Sequence, residues 1–505
     1  MLIDILATVP ILILLLGLLV FKLPARKVGA ISFLFAGIIS LVVFKTPFTG
    51  IAIALGKGFS LSLYVLLIIW AAVFLYNLVK EVGAIKVISE NILLLIKDPF
   101  IQFLLLSWIF SSFLQGIAGF GVPVAIVTPI LVHLGFNPIA SVASVLLGHS
   151  WSISYGSMGS SFYTIGLVTG LSSSELAFWM SVFTAVAMVI TGLGVCYIYG
   201  GLKTLKRGSG YVVSTSFVMI LTMFLVTSVE MMSVVSLLSA LVGMIFMFFL
   251  YKQINNVAIP KNLYKEQLNL KESILPYGLI IILSVIFQVL PNLSLEFSFH
   301  FPGFETALGH EVSREKNYVD INFLTHPAPI IMMSALVGIV LYRTKKVLST
   351  QKLVDVVNRT VEKSTGTTLT LTFLICMALL MMDSGMIDNL AHNVAQLSGN
   401  LYPLFAPFIG LLGSFITGSN TNSNVIFGSF QATIANTLGV SPAIMAAVQS
   451  IGGSVGCSIG PTQVLLGTSS VKLNGNESYV YRRVIHITLF TALTLGIVNL
   501  VVLSF

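Results

Sequence analysis

Two stretches of this chain, about 300 residues apart, carry the same text. Ser112-Phe113-Leu114-Gln115-Gly116 recurs as Ser414-Phe415-Ile416-Thr417-Gly418, and Leu134-Gly135-Phe136-Asn137-Pro138 recurs as Leu438-Gly439-Val440-Ser441-Pro442. Gly148, Ser150, Ser154 and Gly156 then recur as Gly452, Ser454, Ser458 and Gly460. The offset is 302 before the glycine-rich core and 304 after it, so the second copy carries a two-residue insertion. In an apolar chain, a repeat broken at its centre by glycines points to a transporter whose cargo sits between the halves.

The chain is apolar enough for that reading. It is 56% hydrophobic and 9% charged over 505 residues, where a soluble chain has roughly 25% charged residues. Uninterrupted spans fall near 5–21, 28–44, 60–79, 177–199, 211–229, 232–250, 274–290, 327–342, 364–382 and 484–503. Met1 to Val20 lacks the basic start of a signal peptide and reads as the first span. Cys196, Cys376 and Cys457 are scattered, which gives no disulfide framework and no metal spacing. No metal or cofactor is expected. The net charge of +8 reflects cytoplasmic loops rather than a nucleic-acid partner. An outside amino terminus puts 22 of the 26 Lys and Arg inside, leaving Lys45, Lys57, Arg314 and Lys316 outside with the acidic loop 291–326.

Parity constrains the two Gly/Ser-rich regions, 100–170 and 401–471. With Lys97 and Lys203 both inside and 177–199 a single crossing, 100–170 makes one net crossing. That predicts a re-entrant hairpin, 100–114 and 121–134 with its tip at Gly116–Gly121, followed by a discontinuous span over 138–170. The second copy gives a hairpin with its tip at Gly418–Asn424 and a span over 442–471. Irregular backbone at membrane depth is tolerated only where protein or a water-filled cavity satisfies it. Glu81, Gly83, Ile85 and Asn91 also match Asp383, Gly385, Ile387 and Asn393 at offset 302, and the copies come out oppositely oriented. The expected fold is an all-α integral membrane protein of about 12 spanning helices, an inverted-topology repeat with re-entrant hairpins and discontinuous helices. It divides into a first repeat, 1–207, a linking hairpin with a basic loop, 208–272, and a second repeat, 273–505.

The candidate site residues lie at the breaks. Gly418-Ser419-Asn420-Thr421-Asn422-Ser423-Asn424 is costly in lipid unless it lines a site, since an unpaired polar group costs about 2–7 kcal/mol in an apolar medium. Ser419, Asn420, Thr421, Asn422 and Asn424 are therefore candidate substrate ligands, beside a helix N-terminus that suits an anion. Capping of the broken helix is the plainer duty for the same residues. Gly119 and Gly121 in the partner tip let backbone approach a ligand, and close helix packing is the alternative there. His149 and Ser150 break the first discontinuous span, and Ser454 lies in the second break. A His at that depth can bind a carboxylate when charged or relay a proton, or it can sit neutral against backbone. Gln115, Ser419 and Asp383 are the candidate ion-coupling residues, although Asp383 lies close to a span end, where a solvated or capping acid is the simpler reading.

The first core, from Phe113 through Gly116, Gly119, Gly121 and Pro123 to Ile126 and on to Leu134–Pro138, resembles the L-lactate permease family. So does the second, from Phe415 to Asn424, with Gly428, Gln431 and the segment from Gly452 to Gln463. The resemblance implies a bacterial carrier of the plasma membrane that takes up lactate or glycolate by symport with protons. The Ser-Asn-Thr tip is also similar to those of sodium-coupled dicarboxylate carriers. The family usually has an acid where Gln115 stands, an acid where Asn420 stands and a Lys where Cys457 stands. Losing all three together is electrostatically coherent, because losing one alone would strand a buried charge. Charge recognition would then fall to helix termini, His149 and the polar tip. Another small organic anion or a neutral metabolite, sodium in place of the proton, and a homodimer all stay open. A membrane enzyme is disfavoured because Cys457 has no local base and His149 no clustered ligands, and a channel because the repeat lies within one chain.

Overall fold

A computed structural model describes residues 2–21, 23–119, 121–255, 264–289 and 296–504. Lys22 and Lys261, two of the cations assigned inside, lie outside the described residues, as do Phe120 of the first tip and the start of the acidic loop. The body is helical, with eleven helices among the described residues long and apolar enough to cross a membrane. One of them, Ser173–Ser228, bends at Gly200 and Gly201 and so carries two of the expected spans.

The duplication is written into the helix ends. Phe48–Glu81 and Thr350–Asp383 are both 34 residues long, and their ends match at the offset of 302. Each is followed by a left-handed glycine, Gly83 at φ 78° or Gly385 at φ 84°, that opens a short helix, Ala84–Leu95 or Met386–Ser398. The left-handed φ favours glycine and lets the chain turn out of the long helix at once. The expected spans 60–79 and 364–382 are thus the inner parts of much longer helices.

These two long helices pack antiparallel. Lys57 meets Asp383 at 3.3 Å, Trp70 Nε1 donates to Thr368 Oγ1 at 3.0 Å, Asn77 Nδ2 donates to Thr360 Oγ1 at 3.0 Å, and Arg359 meets Glu81 at 2.6 Å. The two ion pairs are exchanged copies of one another: Arg359 is the repeat mate of Lys57, and Asp383 that of Glu81. A contact of i with j′ matched by i′ with j is the mark of a two-fold relation. Lys57 also binds Glu315 at 2.8 Å and lies 5.3 Å from the Tyr318 ring centroid. Both residues belong to the loop that the sequence reading leaves unstructured. The loop instead forms two antiparallel ribbons, Glu296–Ser298 with Asp320–Asn322 and Phe304–Glu305 with Glu311–Val312.

The core segments break where the sequence repeats. In each copy a glycine, Gly135 or Gly439, ends the hairpin. An Asn137 or Ser441 side chain then accepts from the first turn of the next helix, and Pro138 or Pro442 begins it. The first hairpin runs down to Ile117 and returns as Val122–His133. The return arm has 12 residues, about 18 Å of rise, well short of the ~30 Å hydrocarbon core. The second hairpin is Tyr402–Thr417 and Asn420–Leu438. Its tip is only Gly418 and Ser419, shorter than the sequence suggests. Gly418 turns at φ 69° and the Ser419 hydroxyl caps Asn422 N–H, so the amide-rich run proceeds directly as helix. The discontinuous helices are Pro138–Gly148 with Gly156–Thr169, and Pro442–Gly456 with Pro461–Ser470, each pair joined across a single 3₁₀ turn.

Lys57 is 1% and Asp383 5% exposed at the side chain, so removing either partner alone strands a buried charge. Lys57→Met is expected to destabilise the protein by about 3 kcal/mol or more, and Lys57→Met with Asp383→Asn to recover most of the loss. Thermal unfolding in detergent checks this; equal melting of the single and double variants would contradict the pairing.

Candidate substrate site

The broken helices cross one another. Ser454 Oγ donates to Ser150 O at 2.5 Å, a contact between repeat mates. Ser154 N–H donates to Ser454 Oγ at 3.2 Å, and Ser154 Oγ donates to Ser450 O at 3.0 Å. Asn420 Nδ2 reaches Ser154 Oγ at 3.0 Å, and Asn424 Nδ2 reaches Ser161 O at 3.1 Å and Ser450 Oγ at 2.9 Å. Ser, Asn and backbone of both copies thus satisfy one another where irregular backbone would otherwise be stranded.

Beside this knot lies a cavity of about 430 Å³ that both tips and both breaks enter. Of the candidate residues, Gln115, Gly121, His149, Ser419, Asn420, Thr421 and Asn422 line it. Gly119, Ser150, Asn424 and Ser454 stand one layer behind. Gly119 N–H donates to Ser157 Oγ at 2.6 Å, Ser150 Oγ donates to Leu147 O at 2.7 Å, and Asn424 and Ser454 belong to the crossing. Asp383 is elsewhere, bound to Lys57 at the end of its long helix, and is neither solvated nor in the cavity.

Several lining residues are not among the candidate site residues read from the sequence. Ser157, Ser160 and Ser161 come from the start of Gly156–Thr169, Thr462 and Gln463 from the start of Pro461–Ser470, and Gly366, Thr367 and Thr370 from the long helix Thr350–Asp383. The run Thr365-Gly366-Thr367-Thr368 inside a span is a signal that could have pointed to the last group. Ser157 and Met158 hold left-handed φ of 49° and 54°. That conformation is strained for residues with a Cβ and persists at sites where the surroundings enforce it.

The electrostatics follow from what is missing. Among the described residues the lining contains no Asp, Glu, Lys or Arg, and Gln115, Asn420 and Cys457 all face the same space. Four helix N-termini border it: Gly121 caps Val122–His133, the first turns of Asn420–Leu438 and Pro461–Ser470 contribute directly, and Ser160 and Ser161 open the right-handed part of Gly156–Thr169 after its left-handed residues 157–159. Their positive dipole ends suit an anion. Asn420 Oδ1 and Gln463 Oε1 are buried without a hydrogen-bond partner among the described residues, and Asn420 Oδ1 faces Gly453 behind the lining, so a rotation of the amide is needed for it to accept from a group in the cavity. His149 Nδ1 lies 2.5 Å from Val145 O. A carbonyl only accepts, so Nδ1 carries the hydrogen and Nε2 is left to take up or release a proton.

A model of the L-lactate permease family matches residues 4–505. The chain belongs to that family. An L-lactate permease of Streptococcus iniae is 29% identical over 451 residues, covering 88% of this chain and 93% of that protein. Glycolate permease GlcA of Escherichia coli K12 is 26% identical over 539 residues, covering 98% and 94%. An L-lactate permease of Halalkalibacterium halodurans is 26% identical over 497 residues, covering 94% and 91%. Among solved structures, the YdaH transporter of Alcanivorax borkumensis aligns with a TM-score of 0.49 at 15% identity, covering 89% of this chain and 86% of that one. This family member is a multi-pass membrane transporter and not an enzyme.

Gly453 provides a test of the cavity wall. A Cβ there would sit 2.2 Å from Asn420 Oδ1 and 2.9 Å from Ser414 Oγ. Gly453→Ala is expected to displace Asn420 and cost about 1–3 kcal/mol of stability, read as a lowered melting temperature. Gly210→Ala, where nothing lies within 4 Å, should melt like the wild type.

Proposed function

We propose that this transporter carries a small monocarboxylate, L-lactate or glycolate first, across the bacterial plasma membrane together with a proton. The observation that carries the reading is the cavity itself: a space without charged side chains among the described residues, bordered by four helix N-termini. Such a site binds one negative charge through N–H groups and dipoles. The names of the relatives, lactate and glycolate permeases, point to the same class of cargo.

In this reading the carboxylate sits among Ser419, Asn420, Thr421, Asn422 and the first turns opposite. Asn420 Oδ1 and Gln463 Oε1 accept from the 2-hydroxyl. His149 Nε2 takes the proton and, once charged, adds a cation at the moment the anion is bound. Gln115 and Ser419 belong to the coupling wall, and Asp383 acts from a distance by holding the long helices through Lys57. The chain divides into repeats 1–207 and 273–505 with 208–272 between them, inverted about the crossing of Ser150 with Ser454. The amino terminus lies outside. The cavity lining reaches Ala25, next to Arg26 and Lys27, which on the charge asymmetry is the cytoplasmic side. The site is complete within one chain, so a homodimer is not needed to form it.

The test is uptake of labelled lactate and glycolate into proteoliposomes under separately imposed proton and sodium gradients. Accumulation driven by the proton gradient is expected. Accumulation driven only by sodium would replace the coupling ion, and neither accumulation nor countertransport would end the carboxylate reading. Asn420→Leu, which keeps the branched shape but is bulkier, removes the amide acceptor, worth about 1–3 kcal/mol. It is expected to lower countertransport about 10- to 100-fold while the protein stays folded in the membrane. Wild-type countertransport by that variant would move the site elsewhere.

A further inference from the structure

A second, smaller cavity of about 200 Å³ adjoins the first. Val73, Tyr76, Ala118, Lys363 and Ser364 line it. It shares Ile69 and Thr367 with the substrate cavity. The shared residues continue two stripes: Tyr76, Val73 and Ile69 on one long helix, and Lys363, Thr367, Thr370 and Leu371 on the other. A groove between the long helices and the first tip therefore runs from Lys363 into the main site.

Among the described residues Lys363 is the one Lys or Arg that lines either cavity. Its ammonium lies 5.1 Å from the centroid of the Tyr76 ring, and the Lys80 ammonium lies 5.8 Å from the same ring. Among the described residues neither takes part in an ion pair, whereas Arg359, one turn away, is bound to Glu81 at 2.6 Å. Two like charges thus share one aromatic ring, with Glu81 taken up by Arg359 and Glu362 acting on Lys363 without an ion pair among the described residues, at the mouth of a groove that leads to an anion site. Such an arrangement raises the local concentration of an anion and its rate of entry.

We propose that Lys363, Lys80 and Tyr76 form a staging site, which captures a small carboxylate by its charge and passes it along the groove to the neutral cavity. The inference rests on the proposed carboxylate cargo and adds a direction to it. The two-fold that duplicates the Lys57 and Arg359 ion pairs does not duplicate this mouth. The repeat mates of Lys363 and Tyr76 are Leu61 and Ala378, so the opposite face has no equivalent cation. Capture by charge belongs to one side of the membrane only.

The test is the KM for lactate countertransport measured separately from each face, in phosphatidylcholine vesicles containing protein of sorted orientation. Lys363→Gln is expected to raise KM about three- to tenfold from the Lys363 face, hold the maximal rate, and leave the KM of the opposite face unchanged. The effect should shrink at high salt, since exposed charges are screened beyond ~10 Å at 0.1 M ionic strength. Lys363→Arg should restore KM, and Lys363→Glu should raise it further. Equal changes on both faces, a salt-independent change or no change would overturn the proposal. An effect that appears only when anionic lipid is added would assign the site to lipid headgroups instead. A second readout does not depend on transport of lactate: acylation of Lys363 by an amine-reactive ester, followed by mass spectrometry with a series of small monocarboxylates present. Protection that persists in Asn420→Leu supports a separate staging site. Protection lost in that variant, or absent in the wild type, refutes it.

Discussion

The fold depends on one constraint: backbone that leaves the helix inside an apolar layer must find its hydrogen bonds within the protein. This chain breaks its helices at both tips and both crossings, and it meets the demand with short side chains rather than charges. Ser150, Ser154, Ser450, Ser454, Asn420 and Asn424 bond to one another and to exposed carbonyls where the two copies cross. Each of these residues is small, so backbones approach closely. Gly148 and Gly452 extend the same logic, because a Cβ on either would fall about 2 Å from a carbonyl oxygen of the neighbouring hairpin. The cavity is what remains where the polar lining faces inward and has no backbone left to satisfy.

Around that knot, the antiparallel pair of 34-residue helices acts as a frame. Its exchanged ion pairs sit at opposite ends, yet they are not equal. Lys57 and Asp383 are buried and covered by the ribbon-bearing loop through Glu315, whereas the Arg359 side chain is 50% exposed. A buried pair holds firmly because separating it strands charge, and an exposed pair is worth far less. The duplicated frame is therefore stiffer at the end beneath the loop than at the Arg359 end, which is also the end that carries Lys80 and Lys363. An asymmetry of this kind lets two related halves present one open side.

Much of this was legible in the sequence, because the repeat fixes which residues must do the same job twice. The discontinuous spans expected from 138 and from 442 begin there, at Pro138 and Pro442. The polar tip, Gln115 and His149 were singled out as chemistry in lipid, and they line one cavity. What the sequence could not convey was the partner of each charge. Lys57 looked like a loop cation on the outer side, yet it is buried in a long helix and meets an acid 326 positions away. Asp383 looked like an interfacial acid for the same reason. Ser160, Ser161 and Thr367 were missed because hydroxyls at helical spacing bond equally well to their own helix, so their type alone does not mark the wall of a site. The ribbons of the outer loop escaped because each strand is only two or three residues long, too short for alternation to register.

The neutral cavity bears on how such a carrier can cycle. A fixed charge in the site would have to be carried through the conformational change when the site is empty, and a charge without a partner in an apolar layer is costly. Where the family usually sets two acids and a Lys, this chain sets Gln115, Asn420 and Cys457, all three on the same cavity wall. With those groups neutral, the empty site imposes no such cost. On the proposed reading, the loaded site holds the negative charge of the cargo against dipoles that need no reorganisation. The proton proposed for His149 then balances the cargo, so that charge enters and leaves the layer only as a neutral pair. The proposed staging cation, Lys363, lies outside the main cavity, where water and salt still reach it. In that proposal attraction and binding are separated in space: the charge governs how fast the anion arrives, and the dipoles govern how tightly it stays.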